Sequence, residues 1–213
     1  MPHHFFTTKK ENMPKNTNAL VREFHETFRA AVATEASITT GFEDLRAKLI
    51  IEEAAETLLA IMSSDSVEFA DGLGDLDYVI EGAAITFGID LQEMFDLAMK
   101  RYEGYAYYEL IGTLVLGVKS LAEVLREETR GEEDNQGYEI EDVEALLAHI
   151  KAIVWTIANQ WGIPLKEIIE VIHESNMSKL DADGHPIFRE DGKILKGENF
   201  FTPTEKIKAL LGV

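Results

Sequence analysis

Six carboxylates on two neighbouring stretches of this chain have the type and spacing to hold metal ions. On a helix, Glu52, Glu53 and Glu56 fall within about 100° of arc. Glu68, Asp71 and Asp75, at i, i+3 and i+7, form a narrower stripe on a second helix. Acidic stripes usually mark a solvated face, interleaved with Lys or Arg about one turn away. Here the interleaving is missing. Between Leu49 and Met99 there is no Lys or Arg, against twelve Asp and Glu. Of the six, only Glu52 has a base within four positions, Lys48. Like charges at i,i+4, as at Asp71 and Asp75, destabilise a helix unless something neutralises them, and divalent cations would. Oxygen ligands with no Cys and no nearby His point to Mg²⁺, with Mn²⁺ as a substitute, rather than zinc. Two or more ions could be held, since paired metals about 4 Å apart serve in-line displacement at phosphorus. Glu52 or Glu53 could then orient or deprotonate the attacking water.

The rest of the chain supplies the opposite charge. Beyond His173 lie Lys179, Lys193 and Lys196, with Asn176 one turn before the first of them, so this end could hold an anion. Solubility in an acidic protein is the competing reading for Lys193 and Lys196. Phe24, His25 and Phe28, near the start, make either a wall for a base or ordinary core.

The elements that must position these residues read as helices. No proline falls between Pro14 and Pro164, which permits long ones. Periodicity and end signals place helices at about 17–33, 43–63, 66–87, 91–103, 106–128, 140–161 and 165–175. Asp90 can cap the fourth, and Pro164 sits at the start of the last. Arg130 to Gly137 reads as a loop. The turn Asp191-Gly192, between Ile187-Phe188 and Ile194-Leu195, predicts a small hairpin. Two consecutive helices joined by a short loop pack antiparallel, so the two acidic stripes can face each other. Gly72 and Gly74, inside the second acidic helix, imply either close packing or room for a ligand.

A weak internal repeat with an offset of 74 residues brings Gly88 onto Gly162, Leu73 onto Leu147 and Ile89 onto Ile163. The same offset puts Asp71 on Ala145, Asp75 on His149 and Asp77 on Lys151. One half keeps the carboxylates and the other keeps Asn176 and Lys179. His149 and Lys151 then have no assigned chemistry, and their removal would be close to silent.

Glu52-Glu53-x-x-Glu56 followed by Glu68-x-x-Asp71 resembles the paired motif of the all-alpha NTP pyrophosphatases, the MazG-like superfamily. Arg22-Glu23-Phe24-His25 and the tail from Asn176 through Asp191-Gly192-Lys193 to Phe200 are similar to MazG-like proteins of phages and bacteria. The resemblance implies an all-α bundle and Mg²⁺-dependent hydrolysis between the α and β phosphates of a nucleoside triphosphate, giving a monophosphate and pyrophosphate. A deoxynucleotide is the favoured substrate, dGTP or a dUTP-like one. Glu53, Glu56, Asp71 and Asp75 would be the inner ligands, Glu52 and Glu68 close behind, and Asn176, Lys179, Lys193 and Lys196 the phosphate or sugar contacts. Single-repeat relatives form dimers with each site shared between subunits. The degenerate repeat therefore suggests a fused pseudo-dimer: residues 1–104 catalytic, 105–179 the degenerate repeat, 180–213 a hairpin and tail. A homo-oligomer, a dimer of such pseudo-dimers, is a further expectation.

Composition narrows the alternatives. The 213 residues carry a formal charge of −19, which repels nucleic acid and anionic membranes. No apolar run approaches bilayer length, and Met1 to Lys15 lacks an apolar signal core. With no cysteine for disulfides, a cytoplasmic protein is expected, in the host cytoplasm if viral. The competing class is an acidic DNA mimic without chemistry. It would spread its carboxylates at phosphate-like spacing instead of gathering them on two helices.

Overall fold

A computed structural model describes residues 16–38, 40–130, 138–189 and 194–213. These form eight helices: α1 (Thr17–Thr27), α2 (Glu43–Ser63), α3 (Ser66–Phe87), α4 (Gln92–Tyr102), α5 (Tyr107–Arg130), α6 (Ile140–Trp161), α7 (Leu165–Met177) and α8 (Thr204–Leu211). Among the described residues the sole β pairing is an antiparallel bridge between Phe188 and Ile194, with the Leu195 N–H donating to the Ile187 carbonyl at 2.8 Å. The predicted hairpin thus has its flanks paired, while its turn, Asp191-Gly192, lies outside the described residues, as does the loop 131–137. No described helix is long and apolar enough to cross a membrane.

Helix ends follow from side chains that satisfy the free backbone groups there. The Asn16 side chain accepts from the Ala19 N–H (2.9 Å) to start α1. Asp65 accepts from Val67 and Glu68 (3.0 and 3.1 Å) to start α3. The Asp90 carboxylate takes the Gln92 N–H (3.1 Å) before α4. Helix α3 stops at Gly88, φ +72°, where a Cβ would meet the Glu35 carbonyl at 2.5 Å, so only glycine fits. Helix α1 ends at Thr27, short of the predicted 33. Arg29 takes a left-handed φ of 55°, and the chain turns away so that Ala33 and Ser37 donate to Ile85 and Phe87 at the end of α3. Helix α8 was not predicted.

Helix α3 lies at the centre, packed against α1, α2, α6, α7 and α8. Its apolar positions Leu73, Leu76, Ile80, Ala83 and Phe87 are fully buried, and one apolar cluster runs from them into Leu147, Ile150 and Val154 of α6. The two glycines serve packing. A Cβ on Gly72 would meet Thr57 of α2 at 2.8 Å, and one on Gly74 would meet Ile172 of α7 at 2.4 Å.

Lys151 corrects an expectation. It is buried in α6, its Nζ 2.6 Å from Asp77 Oδ1 and 3.0 Å from Glu81 Oε1, with the Trp155 indole N–H also donating to Asp77 (2.9 Å). Burial raises the Asp77 pKa, and Lys151 opposes that. Lys151 is the internal cation for two buried carboxylates, so its removal will not be silent. His149 is also engaged, its Nδ1 3.1 Å from the Tyr102 hydroxyl.

Candidate active site

The two acidic stripes meet where α2 packs on α3. Glu53 and Asp75 are half-buried on the facing sides. Asp71 is half-buried one turn before Asp75, and Glu52, Glu56 and Glu68 stand exposed around them. Among the described residues no ion pair involves Glu53, Glu56, Glu68, Asp71 or Asp75, while Glu52 reaches Lys48 at 3.8 Å across solvent. The Asp71 Oδ1 atom is buried with no hydrogen-bond partner. Burial, then the charges of Glu56, Glu52 and Asp71, push Glu53 from its ordinary 4.5 up to about 7. Burial, then Glu68 and Glu56, push Asp71 from 3.8 to about 6. Burial and the charges of Asp71 and Glu53 raise Asp75 as well.

The opposing charge comes from the end of α7. The field of Lys179 acts on both Asp75 and Glu53 and lowers their pKa values in part. Its Nζ donates to Asn176 Oδ1 at 2.6 Å. Burial lowers the Lys179 pKa, as does the neighbouring Lys196. Asn176 hydrogen-bonds Tyr78, one turn beyond Asp75 on α3. The Tyr78 hydroxyl also lies 3.0 Å from His173 Nδ1, and His173 Nε2 lies 3.6 Å from Glu23. Tyr78 and His173 had no role in the sequence reading, and Glu23 entered it only within the Arg22-Glu23-Phe24-His25 resemblance. No local spacing marks them, because the contact joins three separate helices.

Asn176 and Lys179 are thus gathered with the carboxylates, Lys196 stands near Lys179 with its Nζ 4.2 Å from the centre of the Phe200 ring, and Lys193 lies outside the described residues. The aromatic trio divides. His25 and Phe28 are buried, and His25 Nδ1 lies 2.7 Å from the Ala31 carbonyl. Its pKa falls to about 4 through burial and then the charge of Arg46. Both belong to the core. Phe24 remains partly exposed, stacked on Phe28 at 4.5 Å and set edge-on to Tyr78 at 6.0 Å. The tail is fixed by the Ser175 hydroxyl donating to the Phe201 carbonyl (2.8 Å), and by Gly197 lying against the Leu180 carbonyl.

Whether these residues fit a metal rests on donor chemistry and convergence. The donors are all oxygen, and the orphaned Asp71 Oδ1 is an acceptor that a cation would satisfy. Among the described residues no three His, Asp or Glu side chains close into a group that could hold an ion alone. Mg²⁺ keeps several waters and is usually bound by one or two carboxylates plus substrate phosphates, so its binding does not require an all-protein cage.

Residues 21–101, which carry all six carboxylates, match the family model described as phosphoribosyl-ATP pyrophosphohydrolase. An uncharacterized protein, L479, of Acanthamoeba polyphaga mimivirus is 29% identical over 188 residues, covering 79% of this chain and 73% of that protein. No solved structure matches. The matched segment, residues 21–101, holds the acidic pair within an all-helical fold, and the family it matches belongs to the all-alpha NTP pyrophosphatase (MazG-like) superfamily.

Proposed function

We propose that this chain hydrolyses a nucleoside triphosphate to the monophosphate and pyrophosphate, with Mg²⁺ held by Glu53, Glu56, Asp71 and Asp75 and supported by Glu52 and Glu68. The observation that carries the reading is the set of un-neutralised carboxylates on α2 and α3, with Asp71 Oδ1 unsatisfied, facing Lys179 across the fold. The matched family's description also names a pyrophosphohydrolase. The bound cations would supply neutralisation of the triphosphate charge and polarisation at phosphorus.

Lys179 and Asn176 hold phosphate or sugar oxygens, and Lys196 adds positive potential at the entrance. Glu52 or Glu53 orients the attacking water or accepts its proton. The water oxygen forms the new bond to the α phosphorus. The bond to the bridging oxygen breaks, and pyrophosphate leaves. Phe24 is the member of the aromatic trio placed to meet a base. A deoxynucleotide, dGTP or a dUTP-like one, is the proposed substrate. Chromatography after exposure to each NTP and dNTP tests both points. A monophosphate with stoichiometric pyrophosphate is expected, and a nucleoside diphosphate as end product would refute the reaction.

We also infer a fused pseudo-dimer with one competent site, and three observations support it. Helices α3 and α6 have 22 residues each, lie 74 positions apart and end in the left-handed glycines Gly88 and Gly162. Helix α4 packs on α6 as α7 packs on α3. Asp77 pairs with Lys151, its own counterpart, as expected beside an approximate two-fold axis. At the second position Tyr102 and His149 stand where the first has Asn176 and Asp75. Lys179→Ala should therefore lower turnover or nucleotide binding by about one to two orders of magnitude, the loss of a charge-assisted contact, with Mn²⁺ binding nearly unchanged. Two nucleotides hydrolysed at separate sites per chain, or wild-type behaviour of Lys179→Ala, would defeat the one-site model.

A further inference from the structure

A cavity of about 730 Å³ opens toward the far end of α3 from Asp71, between α1, α3, α4, α6 and α7. Its volume falls in the range of small-molecule sites. One wall carries Phe95 and Trp155, their rings edge to face at 6.3 Å. Deeper lie Lys151 and Glu81, each only 6% exposed, with Glu81 also accepting from Asn18 Nδ2 at 3.1 Å. Arg22 and Lys166 add two bases to the lining, and Asp90 and Glu170 two acids.

The charge balance is unlike that of the rest of the molecule. Three bases and three acids line the cavity, in a chain with 20 Lys and Arg against 39 Asp and Glu. Two of those acids are already engaged, Glu81 by Lys151 and Asn18, and Asp90 by the Gln92 N–H. Neither Arg22 nor Lys166 forms an ion pair with a described residue. The cavity therefore presents an aromatic wall, buried hydrogen-bonding groups beside it, and two uncommitted cations.

This site is apart from the carboxylate cluster. On α3, Tyr78 lies midway between Asp75 and Glu81. On α7, His173 lies midway between Glu170, in the cavity lining, and Asn176. Tyr78 and His173 are buried and hydrogen-bonded to each other, which places a closed layer between the two regions.

We propose that this cavity binds a nucleoside phosphate at a second site. The planar base lies against Phe95 and Trp155, its amino or ring N–H groups reach Glu81, and its phosphate meets Arg22 and Lys166. Aromatic stacking and charge-assisted contacts to phosphate are the interactions these residue types supply.

The test is calorimetric titration of the full chain in EDTA with nucleoside monophosphates, and with nucleosides and inorganic phosphate as separate probes. Saturable one-to-one binding of a monophosphate is expected, tighter than either fragment alone and unchanged by Lys179→Ala. Lys166→Glu, an exposed position, should weaken it about tenfold or more. Trp155→Phe should weaken it too, with the fold checked by circular dichroism. Turnover of the triphosphate by Lys166→Glu should stay at the wild-type level. The proposal is overturned by absence of binding in EDTA, by binding that survives Lys166→Glu, or by equal affinity for phosphate alone. Equal loss of turnover and binding in Lys166→Glu would also overturn it, by making the cavity part of the hydrolytic site. A chain inactive toward every triphosphate that still binds the monophosphate would sink the proposed hydrolysis and leave this site standing.

Discussion

Asp71→Asn should abolish the proposed hydrolysis, a fall of about three orders of magnitude or more, while the protein stays folded and, without metal, becomes more stable than wild type. The activity loss follows from removing an oxygen ligand where several kcal/mol of charge stabilisation is at stake. The stability gain follows from the field around the site. Glu53 and Asp71 both have folded-state pKa values above their ordinary ones, about 7 against 4.5 and about 6 against 3.8. A carboxylate raised in this way favours the fold while protonated, and its penalty grows as pH climbs from the ordinary value through the raised one. Wild type in EDTA should thus lose stability between about pH 4 and pH 7, by on the order of 1–2 kcal/mol per group once partial exposure is discounted. Asp71→Asn should flatten that slope, and added Mg²⁺ should restore stability to wild type only. Thermal melts across this pH window, with and without Mg²⁺, read both effects. An active Asp71→Asn enzyme, or a wild-type melting temperature that rises with pH in EDTA, would remove the assignment.

Lys151→Ala gives the second large effect, on stability. Removing the lysine leaves Asp77 and Glu81 without their shared cation, and breaking such a buried pair costs about 3–5 kcal/mol. For a domain of this size that lowers the melting temperature by on the order of 10 °C. The deficit should shrink at lower pH, since Asp77, already raised by burial, takes up a proton once its cation has gone. Adding Asp77→Asn to the lysine variant should recover part of the loss, the non-additivity of residues in direct contact. Urea unfolding of the two single variants and the double variant measures it. Strictly additive losses would mean that the pair is not coupled.

The contrast between these two residues shows what the sequence could disclose. The ends of α3 and α6 were readable because Gly88 and Gly162 are local signals whose backbone requirements no distant residue overrides. The acid cluster was readable for a related reason: the missing bases around Glu56, Glu68, Asp71 and Asp75 are visible along the chain. Lys151 was misread because its partners sit 74 and 70 positions away and nothing near it announces burial. His25 and Phe28 show the same limit. Their spacing left a ligand wall open beside the commoner core reading, and both side chains are buried in the fold. Helix α1 was drawn too long because only the positive φ of Arg29 ends it, and arginine carries no such warning. Helix α8 is eight residues held by the burial of Ile207, too short for its own periodicity to declare it.

The docking of the tail has a consequence for synthesis on the ribosome. The carboxylates of α2 and α3 are made first, and Lys179, whose charge faces Asp75 and Glu53, follows roughly a hundred residues later. At translation speeds of about 5–20 residues per second, the nascent chain carries its acids for on the order of 5–20 s before that lysine is added. The wait extends to the final residues, since Phe201 and Gly197 fix the end of α7 and Ile207 seals it. A growing chain therefore passes through a stage in which α3 has its charge and lacks the helices that cover it. During that stage cellular Mg²⁺ is the counter-ion at hand.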